Sequence, residues 1–272
     1  MSTAPEPSEF KPAGSQLTLA PDLNWTFGTP STTTEAGRRW TEDEKLGWKT
    51  IETAKEDPRN IYPMCISGLA PRPIAFVSSI SANGEENLAP FSWFNQVCTN
   101  PPVISVSIAV SSNKHKDTAQ NIKDTKQFVV NIISEPFVAQ ANSTSIDAPP
   151  DINEWVLSGL TKEPSTSVAP ARVKESAFSM ECELLQCIEV PNGSGGVAAD
   201  LILGSVKYIH VRKAVLNERG LVDPARMLAV SRMGDNSYAR VGDTFRIPRP
   251  VWADVKGELE EKFGEEMSAS KE

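Results

Sequence analysis

Two histidines, His115 and His210, and four cysteines, Cys65, Cys98, Cys182 and Cys187, are the only imidazole and thiol ligands in a chain of 272 residues. No two cysteines form a C-x-x-C pair and the histidines lack ligand-like spacing, so no zinc cluster is read from the sequence. Cys182 and Cys187 stand an odd number of positions apart in what reads as one strand, which puts them on opposite faces and argues against a disulfide. Also missing are a G-x-G-x-x-G after a strand, a Walker motif, and any run near the ~18 apolar residues that span a bilayer. Met1 to Phe10 has neither the positive start nor the apolar run of a secretory leader. Basic charge is in deficit, with a formal net charge of -8, which disfavours nucleic acid or an anionic membrane as partner. The expectation is a cytoplasmic protein whose chemistry, if it has any, comes from an organic cofactor.

What is present is an ordinary globular balance, 39% hydrophobic and 23% charged, enough for a core. Residues 1–57 read as an N-terminal arm and helix. In the arm, Trp25 and Phe27 are two positions apart, so an extended chain points both rings the same way, toward the body or a partner subunit. Thr41 to Glu56 reads as a helix opened by the capping pair Thr41 and Glu44 and ended by Pro58. Residues 58–250 read as the main domain. Its strands run over Pro73 to Ile80, through Phe91 to Val97, Val103 to Val110, Gln127 to Ser134, Ala177 to Val190 and Leu201 to Val215, with Asn83-Gly84 and Pro101-Pro102 as breaks. Ile104, Val106, Ile108 and Val110 share one face; Ser105, Ser107 and Ala109 share the other, which suits a ligand or subunit contact. Along Ala177 to Val190, the residues Phe178, Met180, Cys182, Leu184 and Ile188 are expected inside and Glu181, Glu183 and Glu189 outside. Asp117 to Asp124 reads as a short helix, Glu135 to Pro164 as a helical or loop excursion, and residues 251–272 as an acidic tail. Many strands with helices as inserts predict a mainly β, α+β chain, a β-barrel with helical decoration.

Three segments carry candidate chemistry. In Ala70-Pro71-Arg72-Pro73, two prolines clamp an arginine at a strand entrance; its fork of donors suits a phosphate or carboxylate, and the plainer reading is a surface arginine beside a stiff turn. In Asn87-Leu88-Ala89-Pro90-Phe91-Ser92, a proline removes a ladder donor and leaves free backbone groups for the polar edge of a flat ring; the plainer reading is an aromatic core strand with a bulge. Ser111-Ser112-Asn113-Lys114-His115-Lys116-Asp117-Thr118 joins a strand to a helix N-terminus, where free N–H groups, the helix dipole and two lysines favour an anion. There the alternative is Asp117 or Thr118 acting as a plain N-cap.

Taken in order, Arg72-Pro73, Asn87 to Ser92, Asn100-Pro101-Pro102, Lys116-Asp117-Thr118, Asn121-Ile122, Phe128-Val129-Val130-Asn131 and Arg232-Met233-Gly234-Asp235-Asn236-Ser237-Tyr238 resemble the flavin-reductase-like, FMN-binding split-barrel family, in its flavoredoxin-like branch. The likeness spans Asn60 to Arg246. It implies a six-stranded split barrel of Greek-key type and a homodimer with FMN at or near the subunit interface. By motif, Lys116, Asp117 and Thr118 would hold the phosphate end and Arg72, Ser78 and Ser79 the ribityl and phosphate side. Asn87, Leu88, Ala89, Pro90, Phe91 and Ser92 would meet the isoalloxazine largely through backbone, and Met233 and Tyr238 would lie near the ring. One departure is Asp235, where the family has a small residue, often glycine. The implied activity is oxidoreduction by FMN, with NADH or NADPH as donor and a small-molecule acceptor or partner monooxygenase downstream. An electron carrier and a specialised metabolic flavoenzyme are the alternatives.

Overall fold

The computed structural model describes residues 8–11, 14–112, 114–149 and 152–268. Asn113 of the strand-to-helix loop, the first seven residues of the arm with Pro12 and Ala13, Pro150 and Asp151 of the excursion and the last four of the tail lie outside the described residues. In chain order the elements are β1 (Leu17–Thr18), α1 (Glu35–Asp43), α2 (Pro58–Gly68), β2 (Ala75–Ile80), β3 (Glu86–Phe91), β4 (Phe94–Thr99), β5 (Pro102–Ala109), α3 (Asp117–Thr125) and β6 (Gln127–Asn131). Then come α4 (Val138–Ser143), α5 (Glu154–Ser158), β7 (Lys162–Glu163), β8 (Arg172–Val173), β9 (Phe178–Pro191), β10 (Val197–Val211), α6 (Pro224–Met227), β11 (Val230–Arg232), β12 (Tyr238–Arg240), β13 (Thr244–Phe245) and α7 (Trp252–Ser268). They fall into two compact units, one of residues 57–241 and one joining residues up to 56 with those from 242 onward.

The larger unit is built on a seven-stranded sheet in the order β3-β2-β6-β9-β10-β5-β4, antiparallel at every step. β3 and β4 are consecutive in the chain yet lie at opposite edges. Only Ser92 and Trp93 separate them, a link that reaches about 11 Å at most. The sheet must therefore curl until its two edges face each other without pairing, which is a split barrel. The barrel is lined by Val77, Ile104, Val106, Ile108, Phe128, Val130 and Ile202, all buried. A second cluster, including Ile74, Phe76, Leu88, Phe137 and Trp155, fills the space under α4 and α5 on the other face of β2 and β3. The apolar alternation in β5 is realised, with Ile104, Val106 and Ile108 buried and Ser105 and Ser107 half-buried on the far side.

Seven strands stand where six were expected, because the single strand read through Phe91 to Val97 is broken at Ser92-Trp93 into β3 and β4. A larger correction concerns β9. The register with β10 shifts between Leu203 and Gly204, leaving Leu185 as an extra, exposed residue. This bulge reverses the parity beyond it. Cys187 therefore packs on the same core as Cys182, Ile188 is exposed, and Glu189, exposed as expected, reaches Lys123 at 3.5 Å. Both cysteines are free thiols, as are Cys65 and Cys98. Glu181, expected outside, is fully buried. It is the acceptor for Thr166 N at 2.6 Å, Ser167 N at 2.7 Å, Ser167 Oγ at 2.9 Å and His210 Nε2 at 2.6 Å, which pins residues 164–171 over the sheet. A loop covers a face that alternation alone assigns to solvent.

The helix expected over Thr41 to Glu56 lies earlier. α1 is capped by Thr34, whose Oγ1 accepts from Gly37 N at 3.0 Å, and Thr41 sits inside it, donating to Gly37 O. Gly47, at φ 78°, takes the chain out of the following turn. Pro58 begins a helix instead of ending one: it occupies the first turn of α2, with Asp57 accepting from Arg59 N at 2.8 Å. In the smaller unit, β1 pairs in parallel with β13. Trp25 and Phe27 meet edge to face at 5.4 Å, and Lys262 Nζ donates to Phe27 O at 2.8 Å. Gly28 lies so close to the Phe263 ring that a Cβ would stand 2.4 Å from Cζ. Among the described residues no helix is long and apolar enough to cross a membrane.

Candidate functional site

The N-terminus of α3 follows a loop in which Ser111 and Lys114 pair their backbones and Ser112 takes φ 51°. The cap is Lys116, extended at φ -69° and ψ 147°, and it supplies no side-chain acceptor to the first turn. Neither Asp117 nor Thr118 is the N-cap. Thr118 and Asn121, three apart on one face of the helix, are buried against β2 and β3. Asn87 Nδ2 donates to Thr118 Oγ1 at 2.7 Å and faces Ser79 Oγ at 3.5 Å, while Asn121 Nδ2 donates to Ser79 Oγ at 3.2 Å. Four polar side chains thus fix the helix start to the sheet. Lys116 Nζ reaches Asp147 Oδ1 at 2.6 Å on the surface, and this contact with Lys116 holds the Asp147 carboxyl below its ordinary range.

Behind the loop, His115 Nδ1 lies 2.6 Å from Oδ2 of the fully buried Asp200, and Lys123 Nζ lies 3.2 Å from Oδ1. His115, Glu189 and Asp200 present ligand atoms within 4.8 Å of one another. Lys123 Nζ, at 3.1 to 3.5 Å from all three residues, stands where a cation would. Burial, with Asp200 next, pushes the neighbouring Cys187 thiol up.

β3 is an edge strand paired only to β2. Pro90 is therefore tolerated in it. Leu88 is buried in the second core and its N–H donates to Glu154 Oε2 at 3.3 Å. Glu154 is itself buried, and desolvation pushes its pKa up. Ala89, Pro90 and Phe91 are half-buried. Ser92 Oγ accepts from Arg72 Nε at 3.2 Å. Arg72 is buried, and its remaining donors go to the carbonyls of Ile66, Leu69 (2.9 Å) and Met233 (2.9 Å). Its backbone pairs with that of Arg232. Ser78 Oγ is likewise spent inside, donating to Ala171 O.

The segment from Arg232 to Tyr238 closes on itself as a short hairpin, Met233 N donating to Ser237 O at 3.0 Å. Asp235 sits at φ 53°. That left-handed conformation is one glycine adopts freely, and aspartate is among the few other residues that accept it. Tyr238 donates its hydroxyl to Asn142 Oδ1 at 2.8 Å, with the Arg232 guanidinium 4.8 Å above its ring.

The structure gathers Ser79, Asn87 and Thr118 into one cluster, and Arg72, Ser92 and Met233 into another. Tyr238 shares a chamber with Pro90 and Ser92. It turns Ser78 away toward Ala171. Sequence reasoning quoted Asn121 and Arg232 within motifs without giving either a role, and missed Glu154 and Asn142 beside the site. Asn121 was findable, since it repeats the face of Thr118 at helical spacing. Asn142 and Glu154 carry no local signal.

A split barrel with a polar helix N-terminus beside a proline-interrupted edge defines a class, and comparison with known proteins agrees. The chain belongs to the flavin reductase-like family: the model described as "Flavin reductase like domain" matches residues 67–229. It is 33% identical over 193 residues to the uncharacterised protein YwrF of Bacillus subtilis, covering 71% of this chain and 94% of that one. The structure of nitrilotriacetate monooxygenase component B from Bacillus cereus is similar at TM-score 0.72 and 33% identity, over 74% of this chain and 99% of that one. The 2-nitrobenzoate 2-nitroreductase NbaA of Pseudomonas fluorescens is similar at TM-score 0.65 and 25% identity, over 75% and 98%.

Proposed function

We propose that this chain binds FMN between the start of α3 and the β3 edge, and works as an oxidoreductase taking electrons from NADH or NADPH. The observation that carries the reading is the first turn of α3. Its cap offers an ammonium and an extended backbone but no side-chain acceptor, so the donors at the positive end of the helix are left for a phosphate. The residues present fit FMN in that respect.

FMN, once bound, supplies the hydride and electron transfer, and the protein supplies binding and orientation. Lys116 would exchange its exposed partner Asp147 for the phosphate; such exposed pairs hold weakly. Thr118, Asn121, Ser79 and Asn87 keep the phosphate end at a fixed distance from β3. Ala89 to Ser92 offer backbone at the open edge to the ring, and Met233 and Tyr238 close its far side. Arg72 and Ser78, with their polar atoms engaged inside, act by shaping the site. No catalytic acid, base or nucleophile is required of the chain. The outward face of β5, β10 and β9, with Ser105, Ser107, Leu201, Leu203 and Ile188 half-buried or exposed, supports a homodimer.

The likeness to a monooxygenase component supports delivery of reduced flavin to a partner monooxygenase. The likeness to a nitroreductase supports direct action on an organic acceptor. The deciding experiment is a visible spectrum of the purified protein, FMN and riboflavin titrations, and anaerobic NADH and NADPH titration. A flavin spectrum, tighter binding of FMN than of riboflavin, and bleaching by one nicotinamide are expected. Equal affinity for riboflavin would remove the phosphate role, and a flavin that neither nicotinamide bleaches would leave a carrier.

A further inference from the structure

Between β3, the end of α4 and the β11–β12 hairpin lies a chamber of about 140 Å³ lined by Pro90, Ser92, Asn142, Ser145, Arg232 and Tyr238. It is too small for a tricyclic ring and has room for a carboxylate and the atoms that carry it. Arg232 gives it its chemistry. The Arg232 guanidinium lies over the Tyr238 ring, and Nη2 donates to Asn236 Oδ1 at 3.3 Å. Nη1 is buried with no hydrogen-bond partner. Nearby Arg240 finds Glu135 Oε2 at 3.7 Å, whereas among the described residues Arg232 has no carboxylate within ion-pair distance. A charged donor held away from water without an acceptor is costly, and buried charges are found paired.

We propose that this chamber is an anion subsite in which the Arg232 guanidinium, turning its unsatisfied Nη1 toward the cavity, receives the carboxylate of a small organic acid, the electron acceptor or its anchor. The inference rests on the reading above, because the acid would lie beside the β3 edge assigned to the flavin ring. Three features select a carboxylate. The guanidinium is a single positive charge, and its planar donors match a planar acceptor. Ser92 and Ser145 line the chamber with hydroxyls, and Ile74, Pro90 and the Tyr238 ring supply apolar walls for the rest of a small molecule. No lysine shares the chamber to balance the second charge of a phosphate.

The test uses benzoate as probe, benzamide as its neutral counterpart, and calorimetry on the FMN-loaded protein. Wild type should bind benzoate at least tenfold more tightly than benzamide. Arg232→Gln should lose about ten- to a hundredfold in benzoate affinity, the range for one charge-assisted hydrogen bond, with FMN and riboflavin affinities unchanged. Arg232→Lys, which keeps the charge and lacks the fork, should fall between; should the glutamine variant not fold, this variant and the benzoate-to-benzamide ratio decide. Benzoate that fails to bind wild type, or binds Arg232→Gln equally well, overturns the subsite. A fall in FMN affinity with riboflavin unaffected would assign Arg232 to the cofactor phosphate and overturn it too. If the protein takes up no FMN, the proposed function fails on its own spectrum, and the same benzoate titration of the flavin-free protein still decides the subsite.

Discussion

At the scale of single residues, the proposed phosphate site turns on Lys116. A charge-assisted hydrogen bond is worth roughly 1.5–3 kcal/mol, so Lys116→Ala should raise the FMN dissociation constant by about ten- to a hundredfold. Riboflavin affinity should stay put, and Lys114→Ala should serve as the control. Equilibrium dialysis of the two variants checks this; a parallel loss of riboflavin would mean that Lys116 acts through the loop. Glu181 makes a separate prediction, on stability. Burial by itself would raise its carboxyl, but the hydrogen bonds from Thr166, Ser167 and His210 outweigh it and bring the pKa down to about 2 from an ordinary 4.5. The folded value lies below the unfolded one, so the stabilisation is complete above about pH 4.5 and drains away as pH falls toward about 2. The shift corresponds to about 3 kcal/mol. Urea unfolding at neutral and acid pH should show Glu181→Gln weaker than wild type by about that amount near pH 7, with the gap closing in acid. A constant gap would mean that the cost is one of packing.

At the scale of elements, β9 and β10 mark the limits of what a sequence discloses. Alternation of Val, Ile and Ser in β5 placed that strand and both its faces correctly, because β5 itself carries no bulge: its ladder with β10 is unbroken, and the shift in its ladder with β4 falls on Val97 of β4. The same rule failed along β9, where Leu185 shifts the register and a distant loop covers Glu181; neither cause is local. Helix starts were misread for a related reason, since Thr34 and Thr41 are both competent caps and only the chain's path past Gly47 chooses between them. The candidate site reads from the sequence as segments and not as contacts: Lys116 lies at its helix start, while the internal ties of Arg72 come from Ile66, Leu69 and Met233. Gly204, beside the bulge, offers a direct test of this register. A Cβ there would stand 2.4 Å from Cζ of the fully buried Phe128. Gly204→Ala should therefore cost about 1–3 kcal/mol and lower the melting temperature by roughly 2–4 °C per kcal/mol. An unchanged melting curve would contradict the register.

For the whole molecule, the prediction is of size and of the arm. Light scattering of the FMN-loaded protein should give about twice the 29.6 kDa of one chain. A monomer with FMN bound would place the flavin away from any subunit interface. Removing the residues before Glu35 takes away β1, the Trp25–Phe27 pair and the chain that lies on Lys262 and Phe263. That truncation should lower the melting temperature or alter FMN affinity and turnover; if none of these moves, the arm is a passive tail.

The corner at Ser92-Trp93 also bears on solubility. An open sheet has two edges, each a template on which another chain can add strands. Here the β3 and β4 edges are tethered by two residues, which leaves little room for a whole strand to add along either, while a flat ring can still reach the backbone of Ala89 to Ser92. Lengthening the corner by several glycines should leave the ladders intact and yet produce aggregation that rises with protein concentration, visible as turbidity. A clear solution of the lengthened protein would show that something other than the corner guards the seam.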